Sequence, residues 1–425
     1  MRRLWRWSLV ALALTLTDAA QAGPFDDAVA AYKRKDYASA VSLFRSLAEA
    51  GDLKAQGNLG VMYAKGEGVP QDYAEAVKWL RRGAERGNAH AQYNLGVRYE
   101  HGGGVPQSYA EAFKWYSLAA AKGDVMAHGN LGAMYTNGLG VPQDFAEAVA
   151  QFRFAAEHGE AHAQDNLAIM YATGRGVPQN EAEAIKWFEL AARQGNAQAQ
   201  YNLGVRYAQG EGVDQDDSEA MKWYHLAADQ GYPEAENNLG AMYEAGIGVA
   251  QDEVVAVQWF RLAAHHENIK GQTNLGIMYA NGKGVAQDFA EARKWFQLAA
   301  DRGEIKAQTN LGALYATGRG VSQSYVEAAK WYGLAAKHGD QAAGAVLERI
   351  KSVQARENAP PPRLEERNAS VRMPSASPQP VARIEPTFFR FSAPVLERRT
   401  VSIGPPPSAG FHMMGGMMGG HFGRR

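Results

Sequence analysis

Apolar residues recur with a helical period through most of this chain. In residues 52–87, Ala55, Leu59 and Met62 follow one another at intervals of three and four, which predicts an apolar face on a first helix. A second series follows a glycine-rich stretch and predicts a second helix; its members are Tyr73, Ala76, Val77, Leu80 and Ala84. The pattern therefore predicts two amphipathic helices joined by a bend.

This helix pair repeats every 36 residues. The triplet Asn-Leu-Ala begins at Asn166, and Asn-Leu-Gly begins at Asn58, Asn94, Asn130, Asn202, Asn238, Asn274 and Asn310. A tyrosine follows each triplet at the same distance, from Tyr63 in the first copy to Tyr315 in the last. A fixed period of this length is typical of solenoids, in which stacked units share one core. We predict an all-α fold, a right-handed α-solenoid of helix-turn-helix repeats.

Each helix pair carries signals for its beginning and its end. The second helix opens on Asp, Asn or Ser with Glu three residues later, as at Asp72 and Glu75, which predicts a capping box. Only Asp252, followed by Val255, departs from this pattern. Each pair ends in glycine, where a left-handed cap is favoured. The exception is Glu267, where we expect strained backbone.

Residues 1–22 have the features of a secretory signal peptide. They contain basic Arg2 and Arg3, then an apolar run, then Ala-Gln-Ala before Gly23. The run of about 10 residues is too short to cross a bilayer, so no integral membrane span is predicted in the mature chain. We expect cleavage after Ala22 and a periplasmic or secreted protein.

Composition limits the chemistry that the chain can perform. It has no cysteine, which excludes disulfides and thiolate metal sites. The net charge is −1, yet residues 356–425 carry ten Arg and five Glu, and residues 1–22 carry +2. The repeats between them therefore carry −8. Phosphate contacts need clustered Lys and Arg, so no nucleic-acid partner is predicted.

Enzymatic motifs are missing from the sequence. The repeated Gly-x-Gly, as in Gly66-Glu67-Gly68, lacks the preceding strand and the third glycine of a dinucleotide site. No trio of nucleophile, base and orienting residue can be assembled from the scattered histidines and acidic caps. The sequence predicts neither an enzyme nor a bound cofactor.

The repeated motifs also carry a family resemblance. Ala-x-Ala-Gln-x-Asn-Leu-Gly-x-x-Tyr, Gly-x-Gly-Val-Pro-Gln-Asp and Ala-x-Lys-Trp-Tyr/Phe resemble the Sel-one-like repeat, a relative of the tetratricopeptide repeat with a longer loop inside the helix pair. On this resemblance, residues 52–339 form eight repeats, residues 23–51 form a tetratricopeptide-like N-terminal cap, and residues 340–358 form a C-terminal capping helix. The resemblance implies an adaptor that holds other proteins in signalling, envelope biogenesis or host contact.

The resemblance further implies a binding groove. Two positions of the first helix lie opposite its core face on a helical wheel, and in tetratricopeptide relatives they line the concave side. The candidate partner-binding residues at these positions are Tyr93, Val97, Asp165, Ile169, Tyr201, Val205, Asn237 and Thr273. Tyrosine is enriched at binding hot spots, so Tyr93 and Tyr201 are the candidate anchors. The alternative is that these side chains pack between repeats.

The residues after the array differ in composition. Residues 359–425 are rich in Pro, Arg, Gly and Met, which predicts a disordered tail. Phe388 and Phe389 belong to a Phe-Phe-Arg-Phe run, a candidate docking motif for the groove of the same chain or for an envelope partner.

The end of the chain concentrates soft donors that suit Cu(I), and the candidate metal ligands are His412, Met413, Met414, Met417, Met418 and His421. The alternative is a low-complexity end without metal. Two further functions therefore stay open: copper handling through this tail, and an envelope glycan- or peptidoglycan-associated factor with aromatic platforms in the groove. The partner, its pathway and the oligomeric state are not set by the sequence.

Overall fold

The computed structural model describes residues 23–357. In this range every regular element is an α-helix, and the nineteen helices are α1 (Pro24–Lys33), α2 (Tyr37–Glu49), α3 (Leu53–Lys65), α4 (Tyr73–Glu85), α5 (Ala89–His101), α6 (Tyr109–Ala120), α7 (Val125–Asn137), α8 (Phe145–Glu157), α9 (Ala161–Thr173), α10 (Glu181–Arg193), α11 (Ala197–Gln209), α12 (Asp217–Ala228), α13 (Pro233–Ala245), α14 (Glu253–His265), α15 (Ile269–Asn281), α16 (Phe289–Asp301), α17 (Ile305–Thr317), α18 (Tyr325–Lys337) and α19 (Gln341–Glu357). The predicted signal peptide and the predicted tail lie outside the described residues.

The described chain divides after Ala184 into two compact units. Within the first unit, α3 packs against α4 and α5 against α6, and each even-numbered helix also contacts the next odd-numbered one, as α4 contacts α5. The second unit repeats this arrangement with α11 to α19. Helix pairs stacked in chain order confirm the predicted all-α solenoid.

Local hydrogen bonds explain where the helices begin. The Asp72 carboxylate accepts hydrogen bonds from the backbone N–H groups of Ala74 and Glu75, both at 2.9 Å, and so satisfies donors that the first helical turn leaves open. Asp252 caps α14 in the same way although Glu is replaced by Val255. The cap thus depends on the first residue of the box more than on the fourth.

The glycine of Asn-Leu-Gly makes room for the core. A Cβ atom built on Gly96 would lie 2.7 Å from Cδ1 of the Tyr116 ring, and one on Gly132 would lie 2.6 Å from Cδ1 of Phe152. Both rings are fully buried. In these two repeats the odd-numbered helix therefore packs its backbone directly against the aromatic ring of its even-numbered partner.

The expected strain at Glu267 is confirmed. Its φ angle is 62°, in the left-handed region that Gly231 occupies at the equivalent position with a φ angle of 77°. This region costs a residue with a Cβ atom about 1–2 kcal/mol. The Glu267 carbonyl oxygen accepts a hydrogen bond of 2.8 Å from Nη1 of Arg302, which holds the bend against the next repeat.

Candidate protein-interaction surface

The structure buries most of the predicted groove residues. Tyr93 is half-buried. The others are at most 6% exposed, and they are Val97, Asp165, Ile169, Tyr201, Val205, Asn237 and Thr273. Side chains this deeply buried contribute to packing in the folded chain, which is the alternative that the sequence left open. Partner contact at these positions stays a prediction.

The neighbouring repeat is the physical reason for this burial. The Thr273 hydroxyl donates a hydrogen bond of 3.3 Å to Oε2 of Glu304, the residue that caps the next odd-numbered helix. Thr309, one repeat further on, donates in the same way to Oδ2 of Asp340 at 2.6 Å. Each odd-numbered helix is thus covered at this position by the start of the following one.

Buried polar and aromatic contacts occur at the same positions. Asn274 donates a hydrogen bond of 2.9 Å from Nδ2 to Oδ1 of Asn237 in the preceding repeat. The recurrent asparagine thus joins two repeats at this position. The Tyr201 ring lies 5.8 Å from that of Tyr224 and 5.2 Å from that of Tyr232, between centroids. The candidate anchor Tyr201 is therefore part of an aromatic cluster inside the second unit.

A recurrent glutamine joins successive helix pairs. Gln92 donates a hydrogen bond of 3.0 Å from Nε2 to the carbonyl oxygen of Ala84, at the end of the preceding even-numbered helix. Equivalent bonds are made by Gln56, Gln164, Gln200, Gln272 and Gln308. His128 replaces the glutamine in one repeat, and its Nε2 lies 3.2 Å from the oxygen of Ala120. The contacts that hold the stack are therefore nearly the same from repeat to repeat.

Glu236 stands where most repeats have this glutamine. Its side chain is 2% exposed, and its Oε2 lies 2.9 Å from Nδ1 of His266. Burial raises the pKa of the Glu236 carboxyl, and the contact with His266 offsets only part of that rise. Glu244, on the same helix, is also buried; burial raises its pKa, and Lys283 lowers it through a contact of 3.0 Å between Nζ and Oε1.

The outer side of the even-numbered helices presents leucine to solvent. Leucines three residues after the repeated tryptophan are 40–50% exposed, and they are Leu118, Leu190, Leu226, Leu262 and Leu298. Sequence reasoning missed this series because residues 52–87 served as the type repeat, and Arg82 occupies the position there. The 36-residue period, applied to Trp-x-x-Leu, would have found it.

Charge is concentrated in one part of the second unit. Residues 207–253 contain eleven Asp and Glu against the single lysine Lys222, a net charge of −10. That lysine lies 2.6 Å from Oε2 of Glu219 and is paired with it. Asp214, Asp216 and Asp229 are exposed. The net charge of −8 over the whole array conceals this local excess.

Metal sites and membrane spans are the other candidate features of residues 23–357. In this part of the chain, no group of three or more Asp, Glu or His side chains is arranged to hold a metal ion. None of its helices is both long and apolar enough to cross a membrane. The candidate docking residues Phe388 and Phe389, and the candidate copper ligands from His412 to His421, lie outside the described residues.

Comparison with known proteins gives the family. The model of the Sel1 repeat matches nine consecutive segments that together cover residues 31–340. The chain therefore belongs to the Sel1 repeat family. Repeats of this family are generally non-catalytic scaffolds that bind other proteins. The first matched segment, residues 31–52, falls in the region for which the sequence predicted a tetratricopeptide-like cap.

Two solved structures support this assignment. A Sel1 repeat protein from Oxalobacter formigenes is 34% identical, with a TM-score of 0.57, and the match covers 77% of this chain and 94% of that one. The protein c5321, a protective antigen of uropathogenic Escherichia coli strains that displays an SLR fold, is 29% identical with a TM-score of 0.50, and the match covers 83% of this chain and 89% of that one. No curated protein matches the sequence.

Proposed function

We propose that this protein is an exported scaffold that binds other proteins through the outer surface of its repeats, in envelope biogenesis, signalling or host contact. The export is supported by the signal-peptide features of residues 1–22. Host contact is supported by the similarity to c5321, which is a protective antigen in its own organism.

The proposal rests on a contrast between the hydrogen bonds that join the repeats and the charged residues exposed on their surface. The hydrogen bonds that join the repeats recur, as Gln92 and Gln164 show, whereas the exposed charge differs from repeat to repeat. Residues 207–253 carry an excess of −10, and although Glu236 and Glu244 are buried, Asp214, Asp216 and Asp229 are exposed. Complementary potentials steer proteins together, so a partner with a basic surface fits this region.

The competing glycan function would need exposed aromatic rings. Of the repeated tryptophans, Trp79, Trp115 and Trp331 are only 5–7% exposed. The other four are half-buried and none is exposed; they are Trp187, Trp223, Trp259 and Trp295. No observation on the described residues favours a sugar ligand over a protein. We therefore put forward protein binding as the single function.

Capture of partners by the full chain from envelope extract, followed by mass spectrometry, tests this function. The decisive comparison is between two triple variants. The first variant removes three negative charges from the acidic region and is Asp214→Asn/Asp217→Asn/Asp229→Asn. The second removes three negative charges elsewhere in the same unit and is Asp288→Asn/Asp301→Asn/Glu348→Gln. We expect only the first variant to bind a saturable partner more weakly, with an affinity roughly tenfold lower. Equal capture by both variants, or no saturable protein partner at all, would contradict the proposal.

Export is tested separately by fractionating the cells that produce the protein. We expect a chain that begins at Gly23 outside the cytoplasm, as measured by N-terminal mass spectrometry. An uncleaved chain confined to the cytoplasm would contradict export while leaving protein binding to the capture experiment.

A further inference from the structure

Three even-numbered helices of the second unit form one continuous outer surface. The ring of His225 on α12 lies 5.3 Å from that of Trp259 on α14, and the ring of His265 on α14 lies 5.6 Å from that of Trp295 on α16, between centroids. Each of these contacts is one turn or less from an exposed leucine. The helices are therefore neighbours, and the exposed apolar side chains next to these contacts are taken together as one patch.

We call this patch the outer apolar row, and it consists of Leu226, Val254, Leu262 and Leu298. Val254 is 56% exposed, and the leucines are 44–50% exposed. On α14 the exposed residues between Val254 and Leu262 are Gln258 and Arg261, whereas α12 and α16 have Lys222 and Lys294 at the position of Gln258. The centre of the row thus lacks the lysine that its neighbours carry, and its exposed cation, Arg261, donates a hydrogen bond of 3.2 Å to the hydroxyl of Tyr279.

Exposed acidic residues lie at the ends of the helices that carry this row. Asp252 is exposed at the start of α14, and Asp216 and Asp229 are exposed at the two ends of α12. Lys222 and Lys294 are held by Glu219 at 2.6 Å and Glu291 at 2.5 Å, so neither lysine is an isolated positive charge. A ligand that combines large apolar side chains with arginine matches both properties of the surface.

The chain contains one segment with that chemistry outside the described residues. Phe388, Phe389 and Phe391 enclose Arg390, and Arg383 precedes the run. Residues 358–425 carry nine Arg and four Glu, a net charge of +5, which is opposite in sign to residues 207–253. The run follows the last residue of α19 by 31 positions, a length that spans up to about 100 Å when extended.

We propose that the Phe-Phe-Arg-Phe segment at 388–391 docks on the outer apolar row of the same molecule. Phenylalanine side chains cover the exposed leucines, and the flanking arginines meet the acidic residues of α12 and α14. The segment and a basic partner protein then compete for the same acidic region. This inference concerns the chain alone and does not depend on the identity of any partner.

The absence of native cysteine makes disulfide trapping in the full chain a direct test. One variant, Gln258→Cys/Ser392→Cys, places one thiol in the outer apolar row and the other beside the segment. The matched control is Lys330→Cys/Ser392→Cys, which uses the equivalent exposed position on α18. Because α18 is nearer to the segment along the chain, random encounter favours the control, whereas docking favours position 258.

We expect the intramolecular disulfide at position 258 to form at least about tenfold faster than at position 330, because docking raises the effective thiol concentration. Adding Phe388→Ala/Phe389→Ala should abolish this difference in rate. Salt at about 1 M should do the same, because it screens the surface charges. Equal rates at the two positions would overturn the proposal. Disulfide-linked dimers in place of the monomeric product would also overturn it, since they assign the row to a second copy. Far-ultraviolet circular dichroism checks that both variants keep their helices.

Discussion

Gly132 lies directly under the ring of Phe152, so close that a Cβ atom at Gly132 would come within 2.6–2.9 Å of three ring carbons. Phe152 is fully buried and cannot move aside without disturbing its neighbours. The glycine of Asn-Leu-Gly is thus favoured by the ring of the partner helix, and not by an unusual backbone angle; only the repeat with Ala168 has a Cβ atom at this position.

Gly132→Ala should therefore destabilise the first unit. Overpacking of this kind costs about 1–3 kcal/mol, which exceeds the gain of about 0.5–1 kcal/mol that alanine brings to a helix interior. Gly129→Ala, on the same helix, is the matched control, because its Cβ atom meets only Oε2 of Glu160 at 3.7 Å. Chemical denaturation should show a lower free energy of unfolding for Gly132→Ala and a slightly higher one for Gly129→Ala. A gain for both would show that the ring shifts freely.

Glu267→Gly should stabilise the second unit. The left-handed backbone costs glutamate about 1–2 kcal/mol more than glycine, and part of this gain is lost because glycine has more freedom in the unfolded chain. The hydrogen bond from Arg302 is kept, since it is accepted by the backbone carbonyl. We expect a net gain of about 1 kcal/mol. The reverse test is Gly195→Ala, at a φ angle of 88° with open space around it, and it should destabilise by a similar amount.

Gln92→Met should weaken the contact between successive helix pairs. Methionine fills a similar volume but cannot donate to the carbonyl oxygen of Ala84, which keeps its other hydrogen bond, from Gly87. The expected loss is about 1 kcal/mol, the usual net value of one such bond. Gln297→Met is the control, because Gln297 bonds only to Asp301 on the surface. Thermal unfolding of both variants measures the effect. An equal change in melting temperature for the two variants would show that the inter-repeat hydrogen bond contributes nothing to stability.

Glu236→Gln should stabilise the protein at neutral pH. Burial places the folded-state pKa of Glu236 above its ordinary value of 4.5, so the ionised carboxylate costs stability at any pH above the folded value. Removing the charge recovers that cost, although it also changes the contact with Nδ1 of His266.

The gain from Glu236→Gln should shrink as the pH falls through the folded-state pKa, and should level off below 4.5, where both states bind the proton. Urea unfolding across this range measures the effect. The exposed Glu85→Gln is the control and should show little change at any pH. A gain that grows on acidification would contradict the assigned direction of the pKa shift.

Several features of the fold were predictable because they depend on nearby residues. The cap at Asp72 requires only a side-chain oxygen and two backbone N–H groups within three residues, so the residue pattern identifies it. The left-handed bend at Glu267 was likewise visible as a missing glycine in a series of glycines. The interaction surface was less predictable, since Tyr201 and Asn237 satisfy the helical-wheel criterion yet lie in the interior.

The sequence by itself determined the 36-residue period, the two helices of each repeat and the residues at which they begin and end, because short-range hydrogen bonds and backbone angles control these features. Only the tertiary structure decided which helix faces are covered. The exposure of Leu262 and the burial of Thr273 depend on where the adjacent helix pair lies, and this placement results from contacts between residues about one repeat apart, such as Thr273 with Glu304. A helical wheel drawn for one repeat contains no neighbour and so cannot distinguish a groove from an interface between repeats.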